Sequence, residues 1–180
     1  MTEMGAPTQS TRMVAGSWAA LYESEVGWVW NTLRRLGTPS AELDDLTHDV
    51  FLVAHRARDR FDPTRPVRPW LMGIAFRVLS DFRRLKRHTS EVLGADLGDL
   101  AAEDNLEAVV ADRQARALLL GALDRLEPDR RAVFVAHDLE GIAMPQIAEA
   151  FDVPLNTAYS RLRLARENLT VALEAFKTTA

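Results

Sequence analysis

The sequence predicts an all-α protein made of two small helical domains joined by an acidic, flexible linker. Three observations carry that prediction. Apolar residues recur at steps of three and four in one stretch after another, and no stretch alternates with the period of two that a half-buried strand needs. Charge is segregated along the chain: from Arg77 to His88 there are five Arg or Lys against one Asp, whereas Thr89 to Asp112 contains neither Lys nor Arg and many carboxylates. Such a flip of composition, with Gly94 and Gly98 inside it, marks a connection between domains. Finally, Met144 to Leu173 holds two helical periods split by Asp152-Val153-Pro154. The expected divisions are a disordered N-terminus over 1–16, a first domain over 17–88, a linker over 89–112 and a second domain over 113–176.

Composition bounds the function. A chain of 180 residues with 47% apolar content can bury one core or two small ones. The net charge of −4 gives no global basic character, so any contact with nucleic acid must use local patches. The absence of cysteine excludes disulfides, thiolate metal sites and thiol catalysis, and fits a reducing cytoplasm. No apolar run approaches the roughly 20 residues of a membrane span, so membrane insertion is not expected. The first dozen residues are polar and lack the core of a signal peptide.

Taken in order, the first helix is expected from about Trp18 to Leu36, with a stripe of Trp18, Leu21, Tyr22, Val26, Val29, Trp30 and Leu33; Gly37-Thr38-Pro39-Ser40 ends it. The second runs from about Ser40 to Arg60, with Leu43, Leu46, Val50, Phe51, Val53 and Ala54 on its core face. Its start is acidic (Glu42, Asp44, Asp45, Asp49) and its end basic (Arg56, Arg58, Arg60), a polarity that suits the helix dipole. A proline-rich loop, Phe61 to Pro69, leads to a third helical stretch, Trp70 to Phe82, and then to Arg83-Arg84-Leu85-Lys86-Arg87-His88. After the linker, helices are expected from about Leu106 to Leu126 and from Asp129 to Leu139, the latter started by Pro128.

The last two helices form the chain's most informative motif. Pro145 suits a first helical turn, and Ile147, Ala148 and Phe151 lie on one side of the short helix it starts. Val153 precedes a proline and is pushed out of the helical region. The second helix starts near Asn156. Its seam is Leu155, Ala158, Leu162, Ala165, Leu169 and Ala172, and its other surface carries Asn156, Thr157, Tyr159, Ser160, Arg161, Arg163 and Arg166. This pattern predicts a helix-turn-helix with a basic, hydroxyl-bearing second helix. An ordinary helix pair with a solvated basic face would read the same way in isolation.

Catalytic signals are missing. There is no phosphate-cradling glycine loop, nucleophile elbow or metalloprotease pair, so no enzyme, catalytic residue, cofactor or metal is expected. His48 and His55 lie near Asp44, Asp45 and Asp49 on one helix, and scattered His and Asp on a surface helix are usually just solvated.

Together these residues resemble an extracytoplasmic-function sigma factor of the sigma-70 family, the two-domain factors that direct bacterial RNA polymerase to promoters. Asp44-Asp45-Leu46-Thr47-His48-Asp49-Val50-Phe51-Leu52-Val53-Ala54 resembles the acidic-apolar helix of region 2. Arg68-Pro69-Trp70-Leu71-Met72-Gly73-Ile74-Ala75 followed by Asp81-Phe82-Arg83-Arg84 resembles the helix pair that melts the minus-ten element. Leu126-Glu127-Pro128 through Phe134 resembles the start of region 4, and Ile147-Ala148, Val153-Pro154, Thr157, Ser160-Arg161-Leu162 and Ala165-Arg166 resemble its helix-turn-helix.

The resemblance implies a set of roles. Asp44, Asp45, Asp49 and Phe51 would contact core polymerase, at the beta-prime clamp helices, with the beta flap as a further partner. Trp70, Phe76, Arg77, Arg83, Arg84 and Arg87 would bind and melt the minus-ten region, as a basic surface with aromatics beside it can do; core packing is the other role open to the aromatics, and for Trp70 it is the favoured one. Asn156, Thr157, Tyr159, Ser160, Arg161, Arg163 and Arg166 would read the minus-35 element in the major groove. Promoter DNA and an anti-sigma factor complete the implied partners. The chain departs from the family at Arg77, where Asn is usual, and at Asn156 and Tyr159, where Gly and Lys are frequent. Those departures leave the promoter preference open. The other reading of the residues is a helix-turn-helix regulator that binds DNA without polymerase; it leaves the acidic helix and the basic aromatic helix without a task.

Overall fold

The computed structural model describes residues 18–93 and 110–179, with side chains described over 18–88, 117–175. The expected N-terminal tail and most of the expected linker lie outside these residues. Among the described residues every regular element is helical. The elements are α1 (Trp18–Arg35), α2 (Leu43–Ala57), α3 (Val67–Leu93), α4 (Val110–Asp124), α5 (Pro128–Phe134), α6 (Met144–Ala150) and α7 (Leu155–Thr179). Single 3-10 turns, Ser40–Glu42 and Arg58–Arg60, flank α2, and a π turn, Val135–Leu139, extends α5. Helix α3 runs past residue 88 to Leu93, and α4 begins at Val110, so helix enters both ends of the stretch 89–112.

Helices α1, α2 and α3 pack on one another as a first bundle. Leu21, Val29 and Leu33 of α1 meet Leu46, Val50, Phe51 and Ala54 of α2 and Leu71, Ile74, Ala75 and Leu79 of α3 in its core. Two expectations fail here. Val53 faces outward, because Val50 and Ala54 already define the buried line of α2, and Tyr22 is also exposed. Gly37 ends α1: the Thr38 amide donates to the Leu33 carbonyl and the Gly37 amide to that of Arg34, a Schellman cap whose left-handed residue is Gly37 at φ +89°.

In the second bundle α7 crosses α4, α5 and α6. Ala158, Leu162, Ala165, Leu169 and Ala172 are buried as the seam predicts, whereas Leu155 stays exposed at the helix start. Helix α6 ends in the same cap as α1, with the Val153 amide donating to Ala148 and the Asp152 amide to Glu149. Here Asp152 rather than glycine takes the left-handed position, at φ +54°. The bundles also touch each other, with α6 lying on α3, a contact the segregated composition did not foretell.

Candidate nucleic-acid and polymerase interfaces

The outward row of α7 begins with Asn156, Tyr159 and Ser160, all exposed, with Thr157 half-buried beside them. Tyr159 is 52% exposed. The buried seam behind this row fixes it rigidly against α5 and α6, which is what a helix presented to a groove requires. Its arginines are not free cations. Arg161 donates to Asp129 at 2.6 Å, Arg163 to Glu167 at 2.6 Å, and Arg166 grips Asp138 through two hydrogen bonds of 2.7 and 2.9 Å. The Arg166 bond holds the Asp138 carboxyl below its ordinary value, against the opposing pull of burial. A phosphate reaching these guanidinium groups must therefore compete with carboxylates already in place.

The aromatic-basic surface expected on α3 is divided by its surroundings. The Trp70 ring packs on Phe61 with centroids 4.7 Å apart, and Phe76 stacks on Phe151, the residue that follows α6, at 4.5 Å. Arg77 is exposed at the mouth of a cleft of about 230 Å³ shared with Trp70, Arg65, Gln146 and Glu149. Arg83 donates to the carbonyls of Leu36 and Gly37, at 2.6 and 3.3 Å, so it caps the negative end of α1. Arg84 pairs with Asp81 at 3.0 Å, and Arg87 reaches the Arg83 carbonyl at 3.4 Å. Arg83 and Arg87 also line a second cleft, of about 320 Å³, closed on its far side by Glu127, Pro128 and Asp129.

On α2, Asp45 and Asp49 are exposed, and Asp44 accepts a hydrogen bond of 2.9 Å from the Trp30 indole. Leu52 and Val53 lie beside them, 41% and 39% exposed. An acidic row bordered by solvent-facing aliphatics is suited to a partner protein rather than to nucleic acid. Phe51, expected among the contact residues, is buried: its ring meets Tyr22 and Trp18 edge-on, with centroids 4.7 and 6.4 Å apart. It supports the surface from beneath. His55 packs on Trp18 and bonds with Arg58; among the described residues no group of three His, Asp or Glu could hold a metal.

Sequence reasoning missed four further residues that join parts of the molecule. Glu25, 1% exposed, accepts from Arg68 at 2.9 Å and ties α1 to the start of α3. Glu140 accepts from the Trp28 indole at 2.5 Å and from Arg35. Arg131 is buried and donates to the Arg35 carbonyl and to Asp124, each at 2.5 Å. Burial draws the Arg131 guanidinium below its ordinary value, and Asp124 offsets part of that. Glu149 takes both its hydrogen bonds from Arg65. Nothing local marks them: Arg131 follows Asp129-Arg130 and Glu140 lies close to Asp138, so their charge does not stand out from that of their neighbours.

Comparison with known proteins places both bundles. The family model described as Sigma-70 region 2 matches residues 21–89, and that described as Sigma-70, region 4 matches residues 116–169. The chain is similar to the RNA polymerase sigma factor CnrH of Cupriavidus metallidurans, at 32% identity over 150 residues, covering 79% of this chain and 78% of that one. It is also similar to the ECF RNA polymerase sigma factor SigL of Mycobacterium tuberculosis, at 28% identity over 161 residues, 89% and 90% of the two chains. Among solved structures, the sigma factor RpoE of Bartonella quintana, in complex with the anti-sigma factor NepR, shares the fold with a TM-score of 0.71 at 18% identity, over 87% of this chain and 96% of that one.

Proposed function

The chain belongs to the sigma-70 family, as an extracytoplasmic-function RNA polymerase sigma factor, and from that premise we propose how its surfaces divide the work. Such a factor binds bacterial core RNA polymerase and directs it to promoters, acting by binding rather than by catalysis. The observation that carries the reading is the pairing of both family regions in one chain, in order, with a helix-turn-helix in the second. A simple DNA-binding regulator would need only the second bundle.

In this reading the exposed row of α2, Asp45 and Asp49 with Leu52 and Val53, meets the polymerase clamp, and Phe51 holds that row in shape. Asn156, Thr157, Tyr159 and Ser160 meet base edges of the minus-35 element. Arg161, Arg163 and Arg166 turn from their carboxylate partners towards flanking phosphates. Trp70, Phe76 and Arg77 receive the minus-ten strand, and Arg84 and Arg87 hold its backbone, with Arg83 fixing the α1–α3 corner. An anti-sigma factor is among the expected partners, as for the similar RpoE. The site of action is the cytoplasm; no described helix is long and apolar enough to cross a membrane.

Reconstitution tests this directly. Purified chain added to core polymerase should yield specific transcripts from a genomic library, and the chain alone should bind duplex DNA weakly, because its net charge is −4. Tight sequence-specific binding without polymerase, and no transcripts with it, would leave only the simple regulator.

A further inference from the structure

The seam of α7 leaves two large apolar side chains outside it at the start of the helix. Leu155, its first residue, is 41% exposed, and Tyr159, one turn on, is 52% exposed. Positions four apart on a helix lie side by side, with Cβ atoms about 6 Å apart, so the two make one small apolar ridge. Asn156 and Ser160, also exposed, flank it. Ala158 and Leu162 are buried behind it and hold the ridge outward. The cations of the helix are engaged with carboxylates: Arg161 with Asp129, Arg163 with Glu167 and Arg166 with Asp138. A helix-turn-helix brings the first turns of its second helix nearest to base edges. In this chain those turns present neutral groups, and the apolar ridge runs through them.

We propose that this ridge selects thymine: Leu155 and the Tyr159 ring contact the 5-methyl groups of thymines in the minus-35 duplex, and Leu155 thereby joins the row that runs from Asn156 to Ser160. The inference rests on the base-reading role proposed above for α7. Of the groups that distinguish base pairs in the major groove, only the thymine methyl is apolar; the others are hydrogen-bond donors and acceptors. The Leu155 side chain has neither a donor nor an acceptor. Pressed against any other base edge, it strips water from a polar group and offers no bond in return. Against a methyl group the same contact buries apolar surface on both sides. Asn156 and Ser160 can bond to the polar edges alongside. The arginines, drawn from carboxylates to phosphates, add affinity that is alike for every sequence. Base choice then falls to the neutral row.

The test uses the full-length protein in reconstituted holoenzyme and a duplex promoter pool randomised across the minus-35 window. Bound templates should be enriched in thymine at one or more positions of that window, on either strand. Uracil in place of such a thymine removes the methyl group and keeps every hydrogen bond. It should weaken binding about fourfold per position, the contribution of one buried methyl group. Leu155→Ala and Tyr159→Ala change exposed positions, and their melting temperatures report whether the fold is kept. Each should narrow the gap between thymine and uracil templates, and Leu155→Ala/Tyr159→Ala should close it. Tyr159→Phe should keep the full gap, because the ring and not the hydroxyl meets the methyl group. Equal binding of thymine and uracil templates by the natural protein overturns the proposal. So does a gap that survives in the folded double variant, or one that Tyr159→Phe abolishes. A pool that enriches no thymine, but whose preference Asn156→Ala/Ser160→Ala flattens, also sinks thymine selection while leaving α7 its base-reading role. A pool with no preference anywhere in the window removes both.

Discussion

Glu25 occupies a place on the α1 stripe between Leu21 and Val29 where an aliphatic residue would ordinarily sit, and its carboxylate is satisfied by Arg68 across the helix junction. Removing Arg68 leaves that carboxylate buried and short of its partner, which costs more than the pair contributes. Arg68→Ala should destabilise the protein by about 2–3 kcal/mol in denaturant unfolding, a figure below the usual cost of a broken buried pair because the Arg68 side chain is 39% exposed. Glu25→Leu/Arg68→Met should recover most of the loss; a double variant as unstable as Arg68→Ala would show that the Arg68 guanidinium over the Trp28 ring, 5.3 Å from its centroid, rather than its pairing with Glu25, holds the junction. The same distinction separates two neighbours on α2. Phe51→Ala should cost about 3–5 kcal/mol because a core ring is lost, whereas Asp45→Arg should leave stability within about 0.5 kcal/mol and abolish capture of core polymerase. A folded Asp45→Arg protein that still captures polymerase at natural strength would remove that surface from the interface. The burial of Phe51 follows from its place on the core face of α2, whereas Glu25 is not legible from periodicity, since a stripe of i, i+3 and i+4 positions names a face without saying that a carboxylate on it will find a partner on another helix.

Elements were more legible than residues. Helix starts at Pro128 and Pro145 and the stops at Gly37 and Pro154 follow from local sterics that no tertiary contact overrides. The turn of the helix-turn-helix is where local preference and structure disagree, because Asp152 holds a left-handed conformation at the α6 cap. The strain of a side chain there outweighs the extra unfolded-state freedom of glycine, so Asp152→Gly should raise stability by about 0.5–1 kcal/mol. A fall in melting temperature would mean that the Asp152 side chain supports the turn. The π turn is tied to α7 by Asp138 and Arg166, and its effect has a defined sign. Because the Asp138 carboxyl titrates below its unfolded value of 3.8, the pair contributes stability above that value and loses it as pH falls through the lowered one. Asp138→Asn should therefore be less stable than the natural protein near neutral pH and indistinguishable from it in strong acid. A difference that persists in strong acid would assign the effect to packing.

Least legible is the whole molecule, and the reason is physical. The contact between bundles uses Gly73, Phe76, Arg65 and Glu149, whose separations in sequence reach 84 residues; no local period encodes such a pairing, and the acidic segment between the bundles conceals it. The two regions nonetheless face different tasks on a promoter, and that difference can be measured. The row from Asn156 to Ser160 would act on duplex DNA before any strand separates, so its loss should weaken recognition: removing one base contact costs about 1–3 kcal/mol and relaxes sequence preference. Arg84 and Arg87 are exposed on α3 and would act on a strand already leaving its partner. Their loss should slow opening and leave closed-complex recognition nearly intact. Arg83 is a poorer probe, because its bonds to Leu36 and Gly37 make Arg83→Ala a change in the α1 cap as well. Two templates separate the tasks, one fully double-stranded and one pre-melted around the start site. With reconstituted holoenzyme, the pre-melted template should restore transcription by Arg84→Ala/Arg87→Ala but not by Asn156→Ala/Ser160→Ala. Rescue of both, or of neither, would mean that recognition and opening are not divided between the two bundles along these surfaces.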